Sequence, residues 1–353
     1  MLQLQNKHRK NSSTITKREV FCLRLSSESG KSSLGTLLSL ILIFGAVFFA
    51  VHNLQNIKDW YALRNYQAPT VVSQLADQDS MTPYGRKIFY VNHPSLDEKD
   101  LFSTHCPVTS REQSIVLGCY HGNQAGIFLL KVTDERLNGV HQVTAAHEML
   151  HGAYDRLGGS KKSEVDAMLQ DFYANGLKDD RVKKTIDAYR KSEPNDVVNE
   201  MHSIFGTEVA VLPAGLESYY KQYFVSRQAV TNYSAKYQAA FTSRQDAVDN
   251  YDKQLTSLKA RIDQATQALD AKQGQIDSGR SNLDQLRRSG NTSEYNAGVP
   301  VYNALVDSYN ADIHEAKALI NEYNDIVARR NAIAGEQDKL VDELKGKMTT
   351  INQ

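Results

Sequence analysis

The chain has 353 residues, with 41 lysines and arginines balanced by 41 aspartates and glutamates. That length holds one sizeable core plus an extension rather than one compact ball. The even charge balance argues against nucleic acid as a partner and gives no reason to expect a strongly charged substrate.

Residues 1–33 read as a basic tail, with Lys7, Arg9, Lys10, Lys17, Arg18, Arg24 and Lys31 against only Glu19 and Glu28. Leu34 to Val51 then carries no charged side chain and, at about 1.5 Å of rise per residue, is just long enough to cross the hydrocarbon core of a bilayer. The positive flank predicts a single-pass membrane anchor with its N-terminus cytoplasmic and everything after Val51 extracytoplasmic. The apolar run is longer than that of a signal peptide, and no small-x-small cleavage pattern follows it. In that topology Cys22 is cytoplasmic, while Cys106 and Cys119 lie where a disulfide between them can persist.

Residues 52–81 read as a stalk, helical from Asn53 to about Ala76, and Thr82-Pro83-Tyr84-Gly85 supplies turn chemistry at the start of a folded domain spanning 82–227. Three β-rich stretches follow, Lys87–Val91, Ser114–Tyr120 and Gly126–Val132, each bounded by Gly, Pro or polar residues. Helical spacing of Val143, Ala146, Leu150 and Tyr154 then predicts a helix over Val140–Leu157, stopped by Gly158-Gly159. Further helices are predicted at about Ser163–Gly176, Asp179–Lys191, Asp196–Phe205 and Gly215–Ser226. A small sheet followed by helices is an α+β fold.

Residues 228–348 differ in kind, and only a short tail, 349–353, follows them. Leu255, Leu258, Ile262, Ala265, Leu269, Lys272, Ile276, Gly279, Leu283 and Leu286 keep a 3-4 spacing, and a second seam runs through Tyr302, Val306, Tyr309, Ile313, Ala316, Ile320, Tyr323 and Val327. Two such helices joined at the breaker-rich Ser289–Pro300 predict an antiparallel coiled-coil hairpin, with pairing to an envelope protein as the competing use of the stripes. Tyr302, Tyr309 and Tyr323 stand in register with the heptad and read as packing residues.

The chemistry sits in His147-Glu148-Met149-Leu150-His151, an HExxH motif. On a helix, i and i+4 share one face, so both imidazoles reach one metal ion while Glu148 is displaced toward metal-bound water as a general base. Zn²⁺ is the expected cofactor because it takes imidazole nitrogen and lowers the pKa of bound water. The residues after His151, GAYDRLGGS, lack the glycine and histidine of a metzincin, so a third ligand must come from elsewhere. In Val197–Glu208 the polar Asn199, Glu200 and His202 interrupt a helix otherwise fit for burial. Glu200 is the first choice as ligand, with His202 and Glu208 as rivals. His202 has two further readings, as a hydrogen-bond donor to the tetrahedral oxyanion or as a support behind Glu200. His141 does not share the metal face, and His93, His105 and His121 fall in predicted loops or strand edges.

HEMLH followed about fifty residues later by a helix-borne NE pair resembles the gluzincin branch of zinc metallopeptidases over His147 to Glu208. The resemblance implies His147, His151 and Glu200 as ligands and Glu148 as the catalytic carboxylate, although MHSIF follows Glu200 instead of the endings of the better-known subfamilies. The strings TAAHEMLH and NEMHSIFGTE also look similar to those of membrane-anchored bacterial proteins, implying a bacterial source. By the same resemblance an edge strand beside the metal takes an extended polypeptide substrate, and Gly126–Val132 is the candidate, which favours a metalloendopeptidase. The alternatives are a catalytically silent envelope scaffold acting through the hairpin and a purely structural metal site.

Overall fold

The computed structural model describes residues 33–107 and 115–345. The basic tail with Cys22, the C-terminal tail and Ser114 at the start of the second expected strand lie outside the described residues. The chain divides into two units, Met1–Lys58 and Asp59–Gln353.

In the first unit, α1 (Ser33–His52) follows from a strongly apolar run that contains no proline and no Asp, Glu, Lys or Arg. From Leu37 to Val51 every side chain is exposed, in place of the single buried face of a globular helix. No single helix among the described residues is long and apolar enough to cross a membrane. Leu37–His52 and α2 (Leu54–Leu63) together pass by length and composition as a pair bent at the break between them.

In the second unit, α3 (Thr70–Gln78) buries Val72, Leu75 and Ala76 in the main core. The region expected as a stalk therefore contributes a structural helix, because its i, i+3, i+4 apolar residues are complementary to the face of the motif helix. Next, α4 (Pro83–Tyr90) replaces the expected strand Lys87–Val91. Thr82 accepts a hydrogen bond from the Gly85 N–H and Pro83 occupies the first turn, so the residues that resemble a turn are an N-cap. Gly85, Ile88 and Phe89 then bury at helical spacing.

The sheet has three short strands, β1 (Ser95–Asp97), β2 (Gly118–His121) and β3 (Gly126–Leu130), with α5 (Lys99–His105) between the first two. Their order is β1-β3-β2, with β1 parallel and β2 antiparallel to β3. β3 is thus central and buried on both faces, and β2 is an edge. This overturns the expectation that Gly126–Val132 is the edge strand. A disulfide joins Cys106, just after α5, to Cys119 in β2.

The motif helix α6 (Val140–Tyr154) begins at Gly139, whose φ of 112° suits glycine and whose missing side chain makes room for the Tyr233 carbonyl, 2.5 Å from where a Cβ would stand. Ala145, Ala146, Met149, Leu150 and Ala153 are fully buried, and the small residues let neighbouring helices approach closely. There follow α7 (Gly159–Asp171) with a π-turn at Phe172–Gly176, α8 (Asp180–Ser192), α9 (Val197–Glu208) and α10 (Ala214–Tyr220). The unit is mostly helical, with helices before the small mixed sheet as well as after it.

Helices α11 (Arg227–Arg288) and α12 (Thr292–Leu344) pack antiparallel, as ion pairs Asp252–Arg330 and Lys272–Asp312 show. At about 1.5 Å per residue, α11 is roughly 90 Å long. The first seam matches the predicted stripe. In the second, Leu319 and Ile326 are buried, while Ile320 is exposed, because the helix takes a three-residue step after Ala316 where the sequence reading takes four. The hairpin is not a separate appendage. Val230 at the start of α11 belongs to the main core, and Leu340 and Leu344 at the end of α12 join Phe102, Leu130, Val132 and Val140 in a second one.

Candidate metal centre

Helix α6 carries His147 and His151 one turn apart, with ring centroids 4.8 Å from each other. The first turn of α9 delivers Glu200 against them, where the positive end of the helix dipole favours a carboxylate. His147 Nε2 lies 3.5 Å from Glu200 Oε2, and His151 Nε2 lies 3.5 Å from Oε1. Nitrogen and oxygen donors of these three residues all fall within 4.8 Å of one another, the geometry of a site able to hold a metal ion.

The electrostatics of the trio are those of a compact charge cluster. Burial disfavours a charged His147, but Glu200, with help from Glu148 and Glu208, outweighs it and lifts the ring to about 9. Burial also works against the Glu200 carboxylate, yet the facing His151 and His147 hold it below the usual range. Among the described residues, Glu200 Oε2 is buried with no hydrogen-bond partner. Such an orphaned oxygen is costly unless a cation or proton meets it.

Glu148 lies beside the trio and under the edge strand. Gly118 of β2 makes its position possible, since a Cβ there would stand 2.8 Å from Glu148 Oε1 and 2.6 Å from Thr144 Cγ2. Burial raises the Glu148 pKa, partly offset by His151 and His147, so its carboxylate is more basic than in water.

Behind the site, Asn199 Oδ1 accepts from His151 Nδ1 at 2.9 Å, which fixes the ring and leaves Nε2 facing Glu200. Asn199 in turn donates to Asp196 Oδ1 and Oδ2 at 3.2 and 3.3 Å. The sequence marks Asn199 only as a polar interruption, and its role appears once α6 and α9 are placed side by side.

A cleft of about 420 Å³ opens over these residues, walled by 115–120, by Arg181, Thr185 and Tyr189 of α8 and by Tyr237 of α11. Glu208 lines it but pairs with Arg181 at 2.6 Å and is outside the metal-donor group. His202 is not in the cleft. It is fully buried, its Nε2 bonds the Tyr219 hydroxyl at 2.8 Å, and burial with the nearby His151 and His147 charges pushes it down to about 3. This neutral ring lies outside both the cleft lining and the metal-donor group, against the ligand and oxyanion readings, and it bonds Tyr219 rather than Glu200, against the reading as a support behind that carboxylate. Tyr237 is one of the hydroxyl residues lining the cleft, and its phenol is kept protonated by burial and by the Glu208 charge. Nothing in the pattern of a long amphipathic helix marks that tyrosine.

Four other histidines among the described residues make framework contacts. His141 Nε2 accepts from the Val132 N–H at 2.9 Å, tying α6 to the end of β3, and His105 pairs with Asp97 at 2.6 Å. His93 meets the Ala62 carbonyl, and His121 lies at the Cys119 sulfur. Comparison with family models, curated proteins and solved structures finds no match for this chain, so the reading of the site rests on its own geometry.

Proposed function

We propose that this is a membrane-anchored zinc metalloendopeptidase, gluzincin-like in its ligand set, with His147, His151 and Glu200 holding Zn²⁺ and Glu148 as general base. The observation that carries this reading is the pair of 3.5 Å separations between Glu200 oxygens and the two Nε2 atoms. They are too long for good N–H···O hydrogen bonds. They match the separation of about 3.4 Å between two ligands of a tetrahedral zinc with bond lengths near 2.1 Å.

Zinc bound there would polarise a substrate carbonyl and bring the pKa of a water toward neutrality. The protein's own groups supply the rest. Glu148, made more basic by burial, takes the proton from the attacking water and delivers it to the departing amine nitrogen. Asn199 holds His151 in the tautomer that presents Nε2. Strand β2, an edge of the sheet among the described residues, lies along the cleft where the central β3 does not, and it offers the side away from β3 to an extended polypeptide.

The exposed apolar side chains of α1 behind a cationic segment support the anchor, and the Cys106–Cys119 bridge suits an oxidising, extracytoplasmic compartment. The hairpin then serves as a docking arm for an envelope partner. The test is zinc stoichiometry of the purified full chain together with new amino termini released from unfolded casein. One zinc per chain, and hydrolysis lost in Glu148→Gln with zinc retained, is the expected result. A chain that binds no zinc ends the proposal.

A further inference from the structure

The face of α2 opposite its buried side presents a surface that the zinc reading leaves unused. Trp60 and Tyr61 stand side by side on the part of this helix that belongs to the globular unit. Both are exposed, Trp60 at 66 % and Tyr61 at 63 %. Two large aromatic side chains left in water on one short helix call for a partner.

About half a turn around the same helix, Asp59 is buried and clasped to the globular unit. Arg156 donates from both terminal nitrogens, Nη1 to Oδ2 at 2.9 Å and Nη2 to Oδ1 at 2.8 Å. Gln124 Nε2 donates to Oδ1 at 2.6 Å, and Lys87 Nζ lies 3.4 Å from Oδ2. A carboxylate held by a two-pronged guanidinium and two further donors resists rotation, so the helix cannot roll its aromatic face inward.

We infer that α2 is an interfacial helix whose Trp60 and Tyr61 lie in the headgroup region of the bilayer, seating the globular unit on the membrane surface. This rests on the anchored reading of α1. A lipid partner follows from continuity, because α1 exposes apolar side chains up to Val51 and α2 begins at Leu54. It also follows from chemistry. Indole and phenol rings prefer the level where an apolar body meets a polar rim. Lys58 and Arg64 flank them, with the Arg64 guanidinium 4.1 Å over the Tyr61 ring, placed to meet lipid phosphate.

Trp60 is the single tryptophan of the chain, so its emission reports on this face alone. The full chain is reconstituted into phosphatidylcholine–phosphatidylglycerol vesicles and recovered by flotation. The expected result is emission shifted to the blue, protection from aqueous iodide, and stronger quenching by lipid nitroxides near the headgroup than at the acyl terminus. Free access of iodide in a chain that floats overturns the inference and leaves the anchor standing. Iodide protection without nitroxide quenching also overturns it, in favour of a second protein chain on these rings. A chain that does not float removes anchor and inference together. None of these outcomes bears on the zinc reading, which stoichiometry and Glu148→Gln decide.

Discussion

Replacing Asn199 with alanine isolates the support behind the metal site without touching a ligand. The substitution deletes the 2.9 Å bond to His151 Nδ1, inside a region where both residues are buried. Leaving that imidazole N–H without an acceptor costs about 1–3 kcal/mol of folding stability, with or without metal. The freed ring also no longer presents Nε2 at a fixed angle, and losses of this kind lower metal affinity roughly 10- to 100-fold. That is about 1.4–2.8 kcal/mol of binding free energy. The assay is a zinc titration against a chromophoric chelator, with circular dichroism to verify the fold and Glu200→Ala as the stronger comparison. Zinc affinity within twofold of wild type in a folded Asn199→Ala chain would refute the reasoning, because it would mean that His151 is oriented by something else.

Glu148→Gln removes the base and should lower hydrolysis by roughly 10²–10⁴-fold while zinc content, measured by mass spectrometry, stays at one per chain. Gly118→Ala drives a Cβ to within 2.8 Å of Glu148 Oε1, so turnover should fall with little change in zinc affinity; unaltered turnover would show that β2 gives way instead. In the metal-free site His147 sits near 9 against an ordinary 6.5, so below about 9 zinc must displace its proton. Apparent zinc affinity should therefore climb with pH between about 6.5 and 9, by up to tenfold per unit, as read by chelator competition. The sign for folding is opposite: the charged His147 stabilises the metal-free protein fully below 6.5, and that contribution is lost as pH rises through about 9. Finally, Cys106 and Cys119 are separated by 13 residues, and opening a loop of that size with Cys106→Ser and Cys119→Ser should cost about 3 kcal/mol in denaturant unfolding.

Much of the site is legible in the chain because its information is local. HEMLH needs only a helix to bring His147 and His151 to one face, and Glu200 betrays itself as a charge in a helix otherwise built for burial. The same locality misleads at Lys87–Val91, where a run of five residues with β-type side chains cannot be told from a helix until Thr82 is seen to cap it. It also cannot place His202. Residues two apart on a helix point about 200° away from each other, so Glu200 and His202 cannot both face the metal. Which one does depends on how α9 is rotated about its axis, and that rotation is set by packing against α6 and the Tyr219–Tyr220 pair.

By itself, then, the sequence determines the apolar N-terminal helix, the motif helix with its two imidazoles and adjacent carboxylate, and the two long apolar stripes. Each of these is a pattern within one element, an uncharged run in the first case and a helical spacing in the others. The tertiary structure decides that β2 rather than β3 is the edge over the cleft, that Asn199 stands behind His151, and that Tyr237 reaches the cleft from the hairpin. It also decides that α3 and both hairpin ends belong to the domain cores. Those outcomes depend on pairings between residues far apart in the chain, which are selected by the free energy of burying complementary surfaces and have no counterpart in local pattern.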